Sequence, residues 1–221
     1  DIPPRWALFG DYVILVNTPD QPLTIDAAGI VRLLCPRPPR TAALLTGVAG
    51  GTLSGTFQVR YTFFEKDADG QLIYETDYSA NSNTVTIAAQ NLHAAQLDTL
   101  PDSTTNGRRL NRTTTGTDTY FEWIDLDNNV GTEISDDTSD AGINTLSAPA
   151  RGTPPYLTHI AEFRSRLFGV SSDDSDTLRY TEVDERFAWP SDNSFDVPHI
   201  GSDDRGITAL IPRRDALGIE R

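Results

Sequence analysis

Apolar residues in this chain fall in short runs or in strict alternation, and almost nowhere at the spacing an amphipathic helix needs. "DYVILVN" (11–17) is nearly continuous apolar sequence, "TPDQP" is a turn, "LTID" (23–26) is a second strand, and "AAG" leads into "IVRLL" (30–34). Runs this dense in Val, Ile and Leu, bounded by Pro, Asp and Gly, suit strands covered on both faces. The first 34 residues therefore read as a small antiparallel meander. "CPRPPR" (35–40) then places three prolines within five residues, which fits neither a helix nor an interior strand, and it reads as a linker.

From about Thr41 the pattern changes. "GTFQVRYTFFE" (55–65) alternates, with Phe57, Val59, Tyr61 and Phe63 on one face and Thr56, Gln58, Arg60 and Thr62 on the other. That period of two predicts one half-buried strand. "KDADG" turns the chain, "QLIYETD" returns it, and "TVTIA" (84–88) gives a further strand. A short helix or irregular segment is expected at "AQNLHAAQLDTL" (89–100). "RRLNRT" (108–113) and "TYFEWIDL" (119–126) flank the turn "TTGTD", and "TEISD" (132–136) closes the set. Six or seven short strands in about 100 residues predict a β-sandwich of immunoglobulin or fibronectin type III kind, and the lack of a cysteine pair favours the fibronectin-like variant.

"APARGTPP" (148–155) is a second proline-rich boundary. After it come "YLTHIAEFRSRLFGV" (156–170), "TLRYTEV" (177–183) and "DRGITALI" (204–211), whose apolar density matches the opening meander rather than the sandwich. The sequence ends in "RRDALGIER", which reads as the middle of a hairpin. The fold class expected is all-β, with a sandwich at 41–150 inserted between a meander at 1–40 and a second, incomplete one at 151–221.

Charge narrows the function. Eighteen basic residues stand against 32 acidic ones, a net charge of −14 over 221 residues, with 24 Asp to 8 Glu and Lys66 the single lysine among 17 arginines. Such a surface repels nucleic acid and anionic membrane unless its arginines cluster. A GC-rich genome and a high-salt habitat both account for the bias. Cys35 is the single cysteine, so no internal disulfide is possible. No apolar run approaches the roughly 20 residues that cross a bilayer as a helix. The chain has no methionine and opens on "DIPPRW" without a signal-peptide pattern, so it reads as a section of a longer or processed polypeptide.

Candidate chemistry is sparse. His93, His159 and His199 sit in unrelated segments, and there is no G-x-S-x-G elbow. One cysteine and three scattered histidines do not make a metal cluster. "DLDNNVGTE" (125–133) sets Asp125, Asp127 and Asn129 at alternating positions, as an oxygen-rich calcium loop would, but its glycine is one place late for an EF-hand. "DADG" (67–70) reads as a hairpin turn. "GVAGG" (47–51) lacks the lysine and helix of a phosphate loop, and strand alternation explains "VRYTFF" without any nucleic-acid role. No carboxylate pair stands out as a glycosidase pair. No residue is assigned as catalytic, cofactor-binding or metal-ligating, no cofactor is expected, and the chain reads as a non-enzyme.

The order of the pieces resembles tailed-bacteriophage structural proteins in which a fibronectin-like domain interrupts a β-propeller. The residues that carry the resemblance run in order: "FGDYVILVN" and "LTID"; "GTFQVRYTFFEKDADG", "SANSNTVTI" and "RRLNRTTTGTDTYFEWIDLD"; then "SDDTSDAGI", "GTPPYL", "RSRLFGV" and "TLRYTEVDERFAWPSDNSFDV". Asn111 departs from it, standing where such proteins usually carry an aromatic. A propeller blade is a four-stranded meander packed on both faces. By that resemblance "RLFGV" and "TLRYTEV" are adjacent blade strands, "SSDDSD" (171–176) is their exposed hairpin, and Trp189-Pro190 is a packing corner.

The resemblance implies a virion component of the tail, nozzle, hub or neck. Its partners would be other virion structural proteins, tail or connector subunits, in a homo-oligomeric ring. Passing genome DNA would be touched only transiently, without specific binding, and no membrane would be entered. The alternative expectation is a fibre or capsid-decorating adhesion module that binds host glycans. A glycan hydrolase is a third.

Overall fold

A computed structural model describes residues 3–17, 20–100, 106–143, 147–197, 206–212 and 216–220. The protein is all-β, with several antiparallel sheets and a single 3-10 turn at Asp140–Gly142 among the described residues. The chain divides into two compact units, one built from residues 1–36 and 151–221, the other from residues 37–150. The first division falls inside the "CPRPPR" run, where proline denies the backbone a ladder partner.

The first arm of the two-part unit is a four-stranded meander, β1 (Arg5–Phe9), β2 (Tyr12–Val16), β3 (Leu23–Ile25) and β4 (Val31–Leu33), paired in sequence order. The sequence pattern shows the last three. It misses β1, whose two apolar positions per face, following two prolines, are too few to read as a period. Ala7 and Phe9 are buried while Trp6 and Leu8 face out.

The 37–150 unit holds β5 (Leu44–Phe57), β6 (Val59–Lys66), β7 (Leu72–Glu75), β8 (Val85–Ala95), β9 (Gly107–Thr113), β10 (Tyr120–Leu126) and β11 (Ile134–Asp136). They form two sheets, ordered β11-β8-β5 and β10-β9-β6-β7. Leu45, Leu53 and Phe57 from β5, Val59 and Tyr61 from β6, Ile87 and Leu92 from β8 and Leu110 from β9 meet in one buried cluster, so both sheets share a core, as in a sandwich.

Two expectations for this unit need correcting. The alternating run 55–65 is not one strand: it breaks at Gln58, leaving Phe57 at the end of β5 in one sheet and Val59 at the start of β6 in the other. The apolar alternation persists because both sheets face the same core. Nor is β6 half-exposed, since Thr62, Phe63, Phe64 and Glu65 are all buried. The segment 89–100 is not helical either, and it is irregular only over 96–100. β8 runs through it to Ala95 and pairs with Leu44–Val48, with Ala89 at φ 52° taking up the local irregularity. Its alanines favour a helix locally, and the ladder overrides them.

The second arm begins with another four-stranded meander: β12 (Leu157–Phe163), β13 (Arg166–Ser171), β14 (Thr177–Tyr180) and β15 (Ser194–Asp196). A hairpin of β16 (Ala209–Pro212) and β17 (Leu217–Glu220) follows. β12 lies alongside both β1 and β16. Ala7, Phe9, Ile14, Val16 and Leu34 of the first arm pack with Leu157, Ile160, Leu167 and Trp189 of the second, so the two ends of the sequence share one apolar core. Trp189 is 4% exposed and donates its indole N–H to the Arg186 carbonyl. Gly152 makes this corner possible: a Cβ there would collide with the Trp189 carbonyl, which is backbone and cannot step aside.

Candidate functional site

The candidates that the sequence suggests disperse in the fold. Asp125 does not stand free for a cation: its two oxygens take Arg109 Nε at 2.8 Å and Nη2 at 3.0 Å, and Lys66 Nζ reaches it at 3.0 Å. Burial raises its carboxyl pKa, but hydrogen bonds from Arg109 and Lys66 outweigh that and hold it below the usual range. Asn129 is spent on the backbone, bonding both the N–H and the carbonyl of Leu100. Asp127 is 80% exposed and sits 3.9 Å from Lys66. The Asp125/Asp127/Asn129 loop is thus a cation-satisfied turn. Asp67 caps the β6–β7 hairpin by accepting from the N–H groups of Asp69 and Gln71, as a turn aspartate does.

His93 lies on β8, its Nδ1 2.7 Å from Ser135 Oγ and its Nε2 3.7 Å from Glu133. His159 lies on β12 with Nδ1 3.0 Å from Thr158 Oγ1, and burial, aided by the charge of Arg5, lowers its pKa. His199 lies outside the described residues. "GVAGG" is interior β5 strand, where Gly51 lets the Asn91 backbone come close. No group of three or more metal-ligating side chains occurs among the described residues. None of their helices is long and apolar enough to cross a membrane.

Three features that the pattern did not show emerge in their place. The first is an ion-pair network on the outer face of the β10-β9-β6-β7 sheet. Cross-strand register puts Thr62 opposite Arg109 and Arg109 opposite Asp125. Arg109 gathers Glu75 at 3.5 Å, Glu122 at 3.1 Å and Asp125, and the Thr62 hydroxyl donates to Glu75 at 2.7 Å. The hydrogen bond to Asp125 raises the Arg109 pKa well beyond its ordinary value.

The second is a pair of arginines on β9 that are fully buried. Arg112 donates to Asp140 Oδ1 and to the Thr138 carbonyl, both at 2.7 Å. Arg108 donates to the Asp98 carbonyl at 3.2 Å and to Asn128. Each pins a loop to an end of the sandwich. Burial pushes the neighbouring Tyr61 phenol up to about 12; it donates to the Thr41 carbonyl and accepts from the Asp98 N–H.

The third lies on the same outer face as the network. Arg60 is stacked between the rings of Tyr78, 3.7 Å from its guanidinium carbon, and Tyr120, 4.3 Å away. Its register partner Asn111 is fully buried with neither amide atom hydrogen-bonded. Only the alternation of β6 pointed to Arg60. The tyrosines come from residues far apart in sequence.

The two-part unit contributes grooves rather than chemistry. One of about 340 Å³ runs between Trp6 and Leu8 of β1, Ile160 and Glu162 of β12, and Leu210 of β16. An adjoining groove of about 260 Å³ is lined by Arg5, Trp6 and His159. Trp6 is 62% exposed and Leu8 58%.

No protein-family model and no curated protein matches the sequence.

Proposed function

We propose that this chain is a non-enzymatic structural protein of a tailed-phage virion, a ring component of the tail, nozzle or neck. The observation that supports it most is the build of the two-part unit. Two four-stranded meanders from opposite ends of the sequence share an apolar core, with the first strand of one beside the first strand of the other. β16, the first strand of the next hairpin, lies on β12 as well. Four-stranded meanders stacked on their innermost strands are how propeller blades pack, and a sandwich looped out between two of them is the order that the resemblance implies.

The mechanism in this reading is mechanical: rigid sheets dock on neighbouring subunits through apolar surface such as that around Trp6 and Leu8. The acidic exterior discourages adhesion of passing DNA. Arg108 and Arg112 are buried and Arg109 is paired with carboxylates, so none of the three presents a free cation to DNA. Mass photometry and negative-stain imaging of the full-length protein test the assignment. A closed ring is expected; a monomer, or a trimer with fibre shape, would move the assignment to the adhesion module.

A further inference from the structure

Two arginines share the outer face of the β10-β9-β6-β7 sheet, and they are treated in opposite ways. Arg109 collects three carboxylates. Arg60 lies two positions before Thr62, the residue opposite Arg109. It forms no ion pair with any described carboxylate, in a chain that carries 32 acidic residues. What Arg60 has instead is rigidity. Two tyrosine rings sandwich its guanidinium, and its Nε is buried without a hydrogen-bond partner.

The surroundings are equally unspent. Asn111, 0% exposed, leaves both Nδ2 and Oδ1 unbonded, and the Tyr120 hydroxyl is also buried without a partner. Buried polar groups normally find partners, so several orphans around one arginine single the place out. Arg, Tyr and Trp are also the side chains that dominate binding hot spots, because a planar, pre-oriented group loses little entropy on docking.

We propose that Arg60, clamped between Tyr78 and Tyr120, is a docking point for an Asp or Glu side chain presented by a partner protein. A carboxylate matches the flat guanidinium fork in a bidentate pair, and the aromatic walls shield that pair from water. Charge argues against a nucleic acid. Affinity for a phosphate backbone comes from several cations acting together, whereas this is one cation on a body of net charge −14, with Glu122 opposite Asn111 on the next strand. Asn111 and the Tyr120 hydroxyl lie buried beside the clamp without hydrogen-bond partners of their own. The assignment concerns what the clamp takes and holds whether or not the chain belongs to a ring.

The test is an NMR titration of the isotope-labelled 221-residue chain with three probes: a blocked peptide with a central Glu-Glu, its Gln-Gln counterpart and inorganic phosphate. The Glu peptide should shift the resonances of Arg60, Tyr78 and Tyr120, and bind at least tenfold more tightly than the Gln peptide. Arg60→Gln should weaken the Glu peptide at least tenfold. Arg60→Lys, which keeps the charge and loses the fork, should weaken it by a smaller factor and serves if the Gln variant fails to fold. Equal binding of the two peptides, undiminished binding by the variants, or phosphate binding there more tightly than the Glu peptide would each overturn the proposal. Self-association that Arg60→Gln abolishes would support it, with the carboxylate then carried by a second copy.

Discussion

The two units solve the same problem, the surplus surface of a β-sheet, by different means. The 37–150 unit spends charge on itself. Arg108 and Arg112 are buried and tie down its loops, and the ion-pair network occupies part of its outer sheet face. Its exposed large hydrophobics among the described residues are Leu44, Val48 and Val130. The two-part unit has a mainly apolar shared core, with Arg186 buried over the Tyr12 ring, and leaves much more apolar surface outside: Trp6, Leu8, Ile30, Val31, Leu33, Tyr156, Val183 and Phe195. The difference teaches that one unit is finished by its own polar chemistry, while the other presents sheet that a neighbour could cover.

If the cores are independent, each should break alone. Trp189→Ala removes the buried indole that joins both arms and should cost the two-part unit about 3–5 kcal/mol. Arg112→Ala releases the loop at Thr138–Asp140 and should cost the sandwich about 3 kcal/mol. Calorimetry or denaturant titration resolved into two transitions should show each variant moving one transition and leaving the other in place. A single transition moved by both variants would dissolve the comparison.

Acid should separate the units next. Asp98, Asp125, Asp136 and Asp140, all in the sandwich, have pKa values below the usual carboxylate range: burial raises each one, and hydrogen bonds and arginine charges more than offset it. A depressed folded-state pKa gives stability that is present above the unfolded value of about 3.9 and lost as pH falls through the folded one. The sandwich should therefore lose on the order of 2 kcal/mol between neutral pH and about pH 2, after a discount for partial exposure. Melting followed from pH 7 down to pH 2 checks this. The transition of the two-part unit, where His159 and Asp174 are the groups titrating in that range that are shifted downward among the described residues, is expected to move less.

Legibility follows the length of each signal. The all-β class is readable because β2, β6, β9 and β10 are bounded runs of apolar or alternating residues. Several elements are not readable, or only in part. β1 is too short, and β8 continues beyond "TVTIA" through helix-favouring alanines that only the ladder with β5 overrides. The β12–β13 hairpin is hidden because its two loop residues, Arg164 and Ser165, both take positive φ, at 52° and 57°, without the Asn-Gly signature of that turn. The arginine clamp and the network are invisible because register, not sequence spacing, assembles them. The hairpin gives a prediction of its own. Arg164→Asn with Ser165→Gly relieves the strained backbone and should stabilise the two-part unit by about 1 kcal/mol, seen as a raised denaturation midpoint.

The smallest effect on stability is the most telling about the exposed side. Trp6 and Leu8 alternate with the buried Ala7 and Phe9, so their side chains leave the core and contribute little to it. Trp6→Ser with Leu8→Ser should change the unfolding free energy by less than about 0.5 kcal/mol, as surface substitutions generally do. The same change removes two exposed apolar side chains lining the β1–β12 groove, so it should reduce binding of a hydrophobic dye and weaken whatever assembly the full-length protein forms. Loss of assembly at unchanged stability means that this strand is built to be covered by a neighbour. Loss of stability instead would mean that β1 is already part of a finished core, and the contrast between the two units would disappear.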